Sequence, residues 1–241
     1  MNENNLDNKN CLITGATGGL GSNLAKILLK NNCNIFLTSR SKLKLQKLEK
    51  ELEKNNKNNC KIISEFGDLT KNSDIKKIIK SVRKKFKTID ILINNAGLFL
   101  SKPIAKSNLK EFENIFDVNV KAPFLLSKEF SQDMEKNKWG RIVNIGSSSS
   151  YQGFSEGSIY CASKHALLGL SRSLFAELKE AKIRTFCISP GSIKTDMGKQ
   201  DKKQNYKTFL EPKEVAQHIV YSISFDEELV SEEIRLNRFK I

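Results

Sequence analysis

Short apolar runs alternate with longer segments of helical periodicity along almost the whole chain. The apolar runs predict strands at residues 11–14, 34–38, 61–66, 89–93, 141–145, 184–189 and 233–237. The periodicity between them predicts helices over 21–31, 41–54, 72–87, an interrupted 108–136, 158–181 and a last one from near Pro212. The strands lack polar alternation, which indicates a parallel sheet covered on both faces. The chain is therefore expected to be of the α/β class, with a doubly wound, mostly parallel sheet of about seven strands flanked by helices.

Length and composition limit the number of domains, the location and the metal content expected of this chain. No low-complexity linker separates the elements, so we expect one domain over residues 1–241. No run of about 18 apolar residues occurs, and the polar residues 1–10 lack the apolar core of a signal peptide. We therefore expect a cytoplasmic protein with no membrane partner. The five cysteines show no paired metal-ligand spacing, and no metal is expected.

The formal net charge of +14 is compatible with an anionic partner. Lysines at residues 42–57 and 71–87 lie on predicted helices, mixed with Glu and Asn and without an aromatic stripe. We interpret them as solvated helix faces and expect no nucleic-acid partner. The alternative is weak steering of an anionic partner toward the protein.

A glycine-rich turn, TGATGGLG at residues 14–21, joins the first predicted strand to the first amphipathic helix. Glycines permit a tight turn and let a pyrophosphate approach the backbone. The free N–H groups of the following helix then point at the phosphates. The turn predicts a dinucleotide site, the alternative being an ordinary strand-to-helix connection.

The glycine spacing resembles the TGxxxGxG pattern of the short-chain dehydrogenase/reductase family, and further matches follow in order. Asp68 follows the third strand, NNAG at residues 94–97 follows the fourth, and Pro190-Gly191 follows the sixth. The resemblance implies a single-domain Rossmann fold, with a nucleotide-binding half at about 9–100 and a catalytic and substrate part at about 101–241. It implies cofactor contacts at Gly15, Thr17, Gly19, Leu20, Gly21, Asp68, Asn95, Ala96, Gly97, Pro190, Gly191, Ile193 and Thr195.

The end of the second strand bears on the choice of cofactor. An acidic side chain there would bond the ribose hydroxyls of NAD and repel a 2′-phosphate. The sequence has Arg40 instead, whose guanidinium suits a phosphate. Since family members with Arg at this position generally use NADP(H), the resemblance implies NADP(H) as cofactor. The alternative is that Arg40 only begins the next helix.

Tyr160 and Lys164 lie four residues apart in a segment of helical period, so both project from one face. A phenol has an ordinary pKa of about 10, and a neighbouring ammonium should lower it. Tyr160 can then exchange a proton with a substrate oxygen. Taken alone, the pair is compatible with two surface residues.

The resemblance supplies partners for this pair. Ser147, thirteen residues before Tyr160, matches the family's catalytic serine, although the choice within the run 147–150 rests on spacing. Asn119 matches the asparagine that holds a water in the proton relay, and surface polarity is its alternative reading. The resemblance thus implies catalytic residues Asn119, Ser147, Tyr160 and Lys164, with Tyr160 and Lys164 also contacting the cofactor.

The carboxyl-terminal part departs from the family's fatty-acid-synthesis reductases, since no glycine follows Gly198. It looks more like the family's broad-range NADP-dependent alcohol dehydrogenases. Five lysines in or beside the expected lid at 196–210 could attract an anionic carrier or form a solvated loop. The sequence favours an NADP(H)-dependent carbonyl/secondary-alcohol oxidoreductase, with 3-oxoacyl thioesters as a candidate substrate. A hydroxy-acid or polyol dehydrogenase and a non-catalytic nucleotide sensor are alternatives. The resemblance also implies a homodimer or homotetramer.

Overall fold

A computed structural model describes residues 5–201 and 204–239. Seven parallel strands form its sheet, in the order β3-β2-β1-β4-β5-β6-β7. The strands are β1 (Asn10–Thr14), β2 (Asn34–Ser39), β3 (Ile62–Phe66), β4 (Ile91–Asn94), β5 (Gly140–Ile145), β6 (Ile183–Pro190) and β7 (Glu233–Leu236). The order reverses between β1 and β4, which creates a crevice at the carboxyl ends of the strands. The predicted doubly wound Rossmann sheet of seven strands is confirmed.

Seven α-helices cover the two faces of the sheet in the described residues. They are α1 (Gly19–Lys30), α2 (Lys42–Lys54), α3 (Asn72–Lys85), α4 (Leu109–Phe116), α5 (Ala122–Asn137), α6 (Ser158–Leu178) and α7 (Pro212–Ile223). Leucines of α1 and α2 and aliphatic residues of α7 pack in one core cluster. Apolar residues of α3, α5 and α6 belong to the other. The central strands β4 and β5 are buried at every position, which explains their lack of polar alternation.

The predicted elements agree with the observed ones, and their boundaries differ by at most three residues. Helix α1 begins at Gly19, two residues before the predicted start, which brings Gly19 and Leu20 into its first turn. The predicted interruption within 108–136 is a π-helical segment, Asp117–Lys121, between α4 and α5. It carries Asn119, which is 1% exposed. Asn119 is therefore buried and does not contribute to surface polarity.

The structure also shows the state of the cysteines and the position of the lysines near the lid. All five cysteines are free thiols, and all but the half-buried Cys60 are buried. In residues 5–201 and 204–239, no helix is both long and apolar enough to cross a bilayer. Two of the lid lysines, Lys202 and Lys203, lie outside the described residues. The division of the domain near residue 100 and the oligomeric state stay predictions.

Candidate active site

The glycine turn closes tightly against the segment that follows β4. Gly15 has φ +61°, and a Cβ there would lie 2.8 Å from the Ala96 Cα. The Asn95 side chain donates to the carbonyls of Thr14 (2.9 Å) and Gly15 (3.1 Å). The Thr14 hydroxyl accepts from the backbone N–H groups of Asn95 and Ala96. Residues 94–97 thus hold the glycine turn in place.

The glycines of the same turn leave the backbone uncovered by side chains at the start of α1. A Cβ at Gly19 would come within 2.9 Å of the Thr195 methyl, and one at Gly21 within 2.5 Å of the Gly15 carbonyl. The N-cap, Gly18, supplies no side-chain cap. The first N–H groups of the helix are therefore available to an anion. The residues present fit the pyrophosphate of a dinucleotide.

One cavity of about 850 Å³ runs along the carboxyl edge of the sheet. It is lined from the β2 side, at Ser39 and Arg40, to the β7 side, at Asn237 and Arg238. Most predicted cofactor residues line it: Gly15, Thr17, Gly19, Leu20, Gly21, Arg40, Asn95, Ala96, Gly97, Tyr160, Lys164, Pro190, Gly191, Ile193 and Thr195. The structure brings these scattered motifs together.

Asp68 lies beside the cavity, between the lining residues Gly67 and Leu69. Its Oδ1 accepts hydrogen bonds from the backbone N–H and the hydroxyl of Thr70, both at 3.0 Å. The structure therefore gives the Asp68 carboxylate a role in shaping the loop after β3. Its expected contact with the cofactor stays a prediction.

Ser147 and Tyr160 both line the cavity. Ser147 follows β5 and caps a short 3-10 helix, Ser148–Ser150, through a 3.1 Å hydrogen bond from the Ser149 N–H. Tyr160 lies in the first turn of α6, where it is 7% exposed. Burial raises the pKa of Tyr160, and a hydrogen bond with Ser147 opposes that shift. Within the serine run, this contact favours Ser147.

Lys164 lies one turn along α6 and is 5% exposed. Its Nζ donates to the Ile145 carbonyl at 2.7 Å and lies 5.9 Å from the centroid of the Tyr160 ring. Burial lowers the pKa of Lys164 from 10.5 to about 8. The expected net lowering of the Tyr160 pKa is not found, because burial of the phenol raises its pKa and the Lys164 ammonium lies 5.9 Å from the ring centroid.

Asn119 lies behind the cavity wall and contacts the helix that carries Tyr160 and Lys164. Its Oδ1 accepts from the Leu98 N–H at 2.8 Å, and its Nδ2 donates to the Leu98 carbonyl and the Ser163 hydroxyl, both at 3.0 Å. The side chain therefore joins the segment after NNAG to α6. The π-helical segment places it there, since an extra residue in the helical turn redirects the side chains.

Sequence reasoning missed the aromatic wall of the cavity. Phe99 packs edge-on against Tyr160 with centroids 5.0 Å apart, and it stacks on Phe154 at 6.2 Å. The position of Phe99, two residues after Gly97, was an available signal. Phe154 lies in the loop before α6, where no periodicity marks it. Gln204 and Arg238 were missed for the same reason.

The fold, the glycine cradle and the crevice at the carboxyl edge define a dinucleotide-binding protein of Rossmann type. The sequence profile of the short chain dehydrogenase family matches residues 9–206. The chain belongs to this family and is an oxidoreductase that uses a nicotinamide cofactor.

Similar proteins of known sequence span most of the chain. A 3-oxoacyl-acyl-carrier-protein reductase of Buchnera aphidicola is 35% identical over 209 residues, covering 85% of this chain and 82% of its own. The corresponding protein of Rickettsia conorii is 33% identical over 192 residues, covering 80% and 76%. An uncharacterised oxidoreductase of Staphylococcus saprophyticus is 28% identical over 218 residues, covering 90% and 92%.

Solved structures agree with the fold. A metagenomic short-chain oxidoreductase in complex with NADP is 27% identical, with a TM-score of 0.85 and coverage of 97% of this chain and 99% of its own. An alcohol dehydrogenase of the archaeon Thermococcus sibiricus, complexed with 5-hydroxy-NADP, has a TM-score of 0.88 with 98% of both chains covered. At 24% identity, this second similarity shows the fold alone.

Proposed function

We propose that the protein is an NADPH-dependent carbonyl reductase whose proton donor is Tyr160, with 3-oxoacyl thioesters as the favoured substrate class. The observation that carries the proposal is the pairing of Tyr160 with Ser147 inside the cavity that also holds the glycine cradle. The 3-oxoacyl thioester is supported by the reductases from Buchnera and Rickettsia that resemble the chain.

The chemistry assigns a separate task to each side chain. When bound, the reduced nicotinamide supplies the hydride that the carbonyl carbon accepts. The Ser147 hydroxyl donates a hydrogen bond to the carbonyl oxygen and orients it. The Tyr160 hydroxyl gives its proton to that oxygen as negative charge develops there, leaving a phenolate. The Lys164 ammonium favours this phenolate electrostatically.

Asn119 acts in this proposal as a positioning residue. Its contacts with Leu98 and Ser163 tie one wall of the cavity to α6. Because α6 also carries Tyr160 and Lys164, the phenol and the ammonium keep their places relative to the wall. The water-mediated relay implied by the family resemblance stays a prediction.

Purified protein with NADPH and a panel of carbonyls, led by acetoacetyl thioesters, tests the function. Consumption of NADPH with an equal amount of alcohol formed would support a reductase, and the preferred carbonyl would identify the substrate class. Tight NADPH binding without turnover of any carbonyl would contradict the proposal.

NADPH is favoured over NADH because Arg40 lies at the cavity end formed by β2, beside Ser39. The metagenomic relative and a Sphingobium yanoikuyae dehydrogenase with a similar fold were solved with NADP and NADPH. We expect Arg40→Ala to raise the Kd for NADPH about 10- to 100-fold, the loss of a hydrogen bond to a charged group. The Kd for NADH should change little, because NADH lacks the 2′-phosphate. Titration of nicotinamide fluorescence measures both, and an equal loss for the two cofactors would refute the assignment.

We expect kcat/KM for carbonyl reduction to fall as pH rises through about 8. Burial lowers the pKa of Lys164 to about 8, so its ammonium is lost above that pH. The pKa of Tyr160 is raised, so the phenol keeps its proton over the same range. A pH–rate profile measures the fall, and Lys164→Arg should remove it because a guanidinium stays charged. A wild-type profile that stays flat through this range would show that Lys164 does not act through its charge.

A further inference from the structure

Arg238 closes the cavity at the end opposite Arg40. It follows β7, whose Leu236 carbonyl accepts from the Gly191 N–H at 2.7 Å. This bond places the segment after β7 beside two expected cofactor contacts, Pro190 and Gly191. Arg238 is half-buried and lines the cavity there.

The partners of Arg238 fix its orientation without neutralising its charge. Its Nη1 donates to the Thr208 hydroxyl at 3.0 Å, and its Nη2 donates to the Gln204 side-chain carbonyl at 2.6 Å. The guanidinium also lies over the Phe209 ring, 5.3 Å from the centroid. These contacts use one N–H of each amino group, which leaves three of the five donors available.

Acidic side chains near Arg238 have other partners. Among the described residues, none of the carboxylates forms an ion pair with Arg238. Asp196 lies 3.6 Å from the Lys199 ammonium. Asp201 accepts from the Gln204 amide at 2.5 Å, and the same Gln204 separates it from the guanidinium in the hydrogen-bond chain. The cavity therefore holds an oriented cation beyond Ser147 and Tyr160.

The sheet sets the distance between this cation and the reacting carbonyl. Ser147 follows β5 and Arg238 follows β7, with β6 between the two strands. Neighbouring strands lie about 4.8 Å apart, so the backbones of β5 and β7 are separated by about 10 Å across the sheet. Ser147 and Arg238 line the same cavity, so a ligand that contacts both carries its two contacting groups at different places along its length.

We propose that Arg238 is a substrate-recognition residue that binds an oxyanion carried by the carbonyl substrate at its end remote from the reacting carbon. This inference rests on the proposed function and narrows its substrate class. A guanidinium suits the oxyanion because it offers several parallel N–H donors and keeps its charge. The oxyanion is either a carboxylate on the substrate's own chain or a phosphate on a thioester arm.

Two matched substrate pairs test the proposal with NADPH. The first is 7-oxooctanoate and its methyl ester, and the second is acetoacetyl-coenzyme A and acetoacetyl-N-acetylcysteamine. Arg238→Ala should lower kcat/KM for an anionic member about 10- to 100-fold and leave its neutral partner almost unchanged. An effect in the first pair identifies a carboxylate, and an effect in the second identifies a phosphate.

Arg235→Ala is the matched control. Arg235 lies three residues earlier, is exposed, and contacts the Tyr151 ring rather than the cavity. It should not alter the preference for anionic substrates. Arg238→Lys keeps the charge without the fork and should give an intermediate preference. Equal losses for charged and neutral substrates in Arg238→Ala would overturn the proposal, because Arg238 would then only hold Gln204 and Thr208 in place.

A binding measurement separates this inference from the proposed function. An NMR titration of the NADPH complex with octanoate, and with methyl octanoate as control, needs no turnover. Octanoate should bind the wild-type protein, with a Kd about 10-fold higher in Arg238→Ala. Such binding without reduction of any carbonyl would refute the reductase and keep the oxyanion site. Reduction of neutral carbonyls, with octanoate bound equally by both proteins, would refute the site and keep the reductase.

Discussion

Replacement of Tyr160 by Phe is expected to lower kcat for carbonyl reduction by about 10²- to 10⁴-fold, the usual contribution of a positioned general acid. Phe keeps the ring that packs edge-on against Phe99 at 5.0 Å, so the wall of the cavity should be preserved. Only the hydroxyl that pairs with Ser147 is lost. NADPH consumption at saturating substrate measures kcat, and the Kd for NADPH should change much less.

Tyr151→Phe is the control for this result. Tyr151 also follows β5, but its hydroxyl donates to the Glu233 carboxylate at 3.1 Å. Burial raises its pKa as well, but Tyr151 does not line the cavity that Tyr160 lines. Tyr151→Phe should retain most of the activity. If both variants retain near-wild-type kcat, the proton donor is another group and the assignment to Tyr160 is wrong.

The parts of the protein that depend on local sequence pattern were predictable. Unbroken apolar runs specify strands buried on both faces, and the glycine spacing fixes the turn between β1 and α1. Both patterns act over a few residues, and the backbone there has little choice of conformation. The same is true of Tyr160 and Lys164, because a helical spacing of four residues puts both side chains on one face.

The parts that depend on contacts between distant segments could not be predicted. Arg238 meets Gln204 and Thr208 across 34 and 30 residues, and no periodicity in the sequence marks the meeting. The sequence around Asn119 does not show whether this residue is exposed or buried. Its burial follows from the π-helical segment that carries it, which is seen only in the folded structure. The pKa of Tyr160 likewise depends on the completed fold, since the burial that raises it comes from several elements.

Arg141 shows the same limit in the core. The predicted strand 141–145 begins with this residue, and the structure buries its side chain completely. Its Nε and Nη2 donate to the carbonyls of Ile223 (3.1 Å) and Phe225 (2.9 Å) at the end of α7. Its Nη2 also pairs with the Asp226 carboxylate at 2.6 Å. Burial lowers the pKa of Arg141 to about 10, so it remains charged at neutral pH.

We expect Arg141→Met to lower the free energy of unfolding by about 1–3 kcal/mol, the usual cost of leaving a buried hydrogen-bond acceptor without its donor. Methionine fills much of the volume but donates no hydrogen bonds. The Ile223 carbonyl would lose its Arg141 donor, and the Phe225 carbonyl would keep only Arg184. Asp226 would lose its ion pair but keep the hydrogen bond from Trp139. Since α7 packs against α1 in one core cluster, the loosening should reach the face of the sheet below the glycine turn. Urea unfolding followed by circular dichroism measures the change.

Arg172→Met provides the comparison for this prediction. Arg172 pairs with Glu233, but 58% of its side chain is exposed. Exposed ion pairs contribute about 0–1 kcal/mol, so this variant should unfold almost like the wild type. Equal small losses in both variants would show that water or other donors satisfy the α7 carbonyls without Arg141. A large loss of unfolding free energy confined to Arg141→Met would show that the buried Arg141 guanidinium joins the start of β5 to the end of α7. Because both arginines are charged, the difference between the two variants would come from burial and hydrogen bonding.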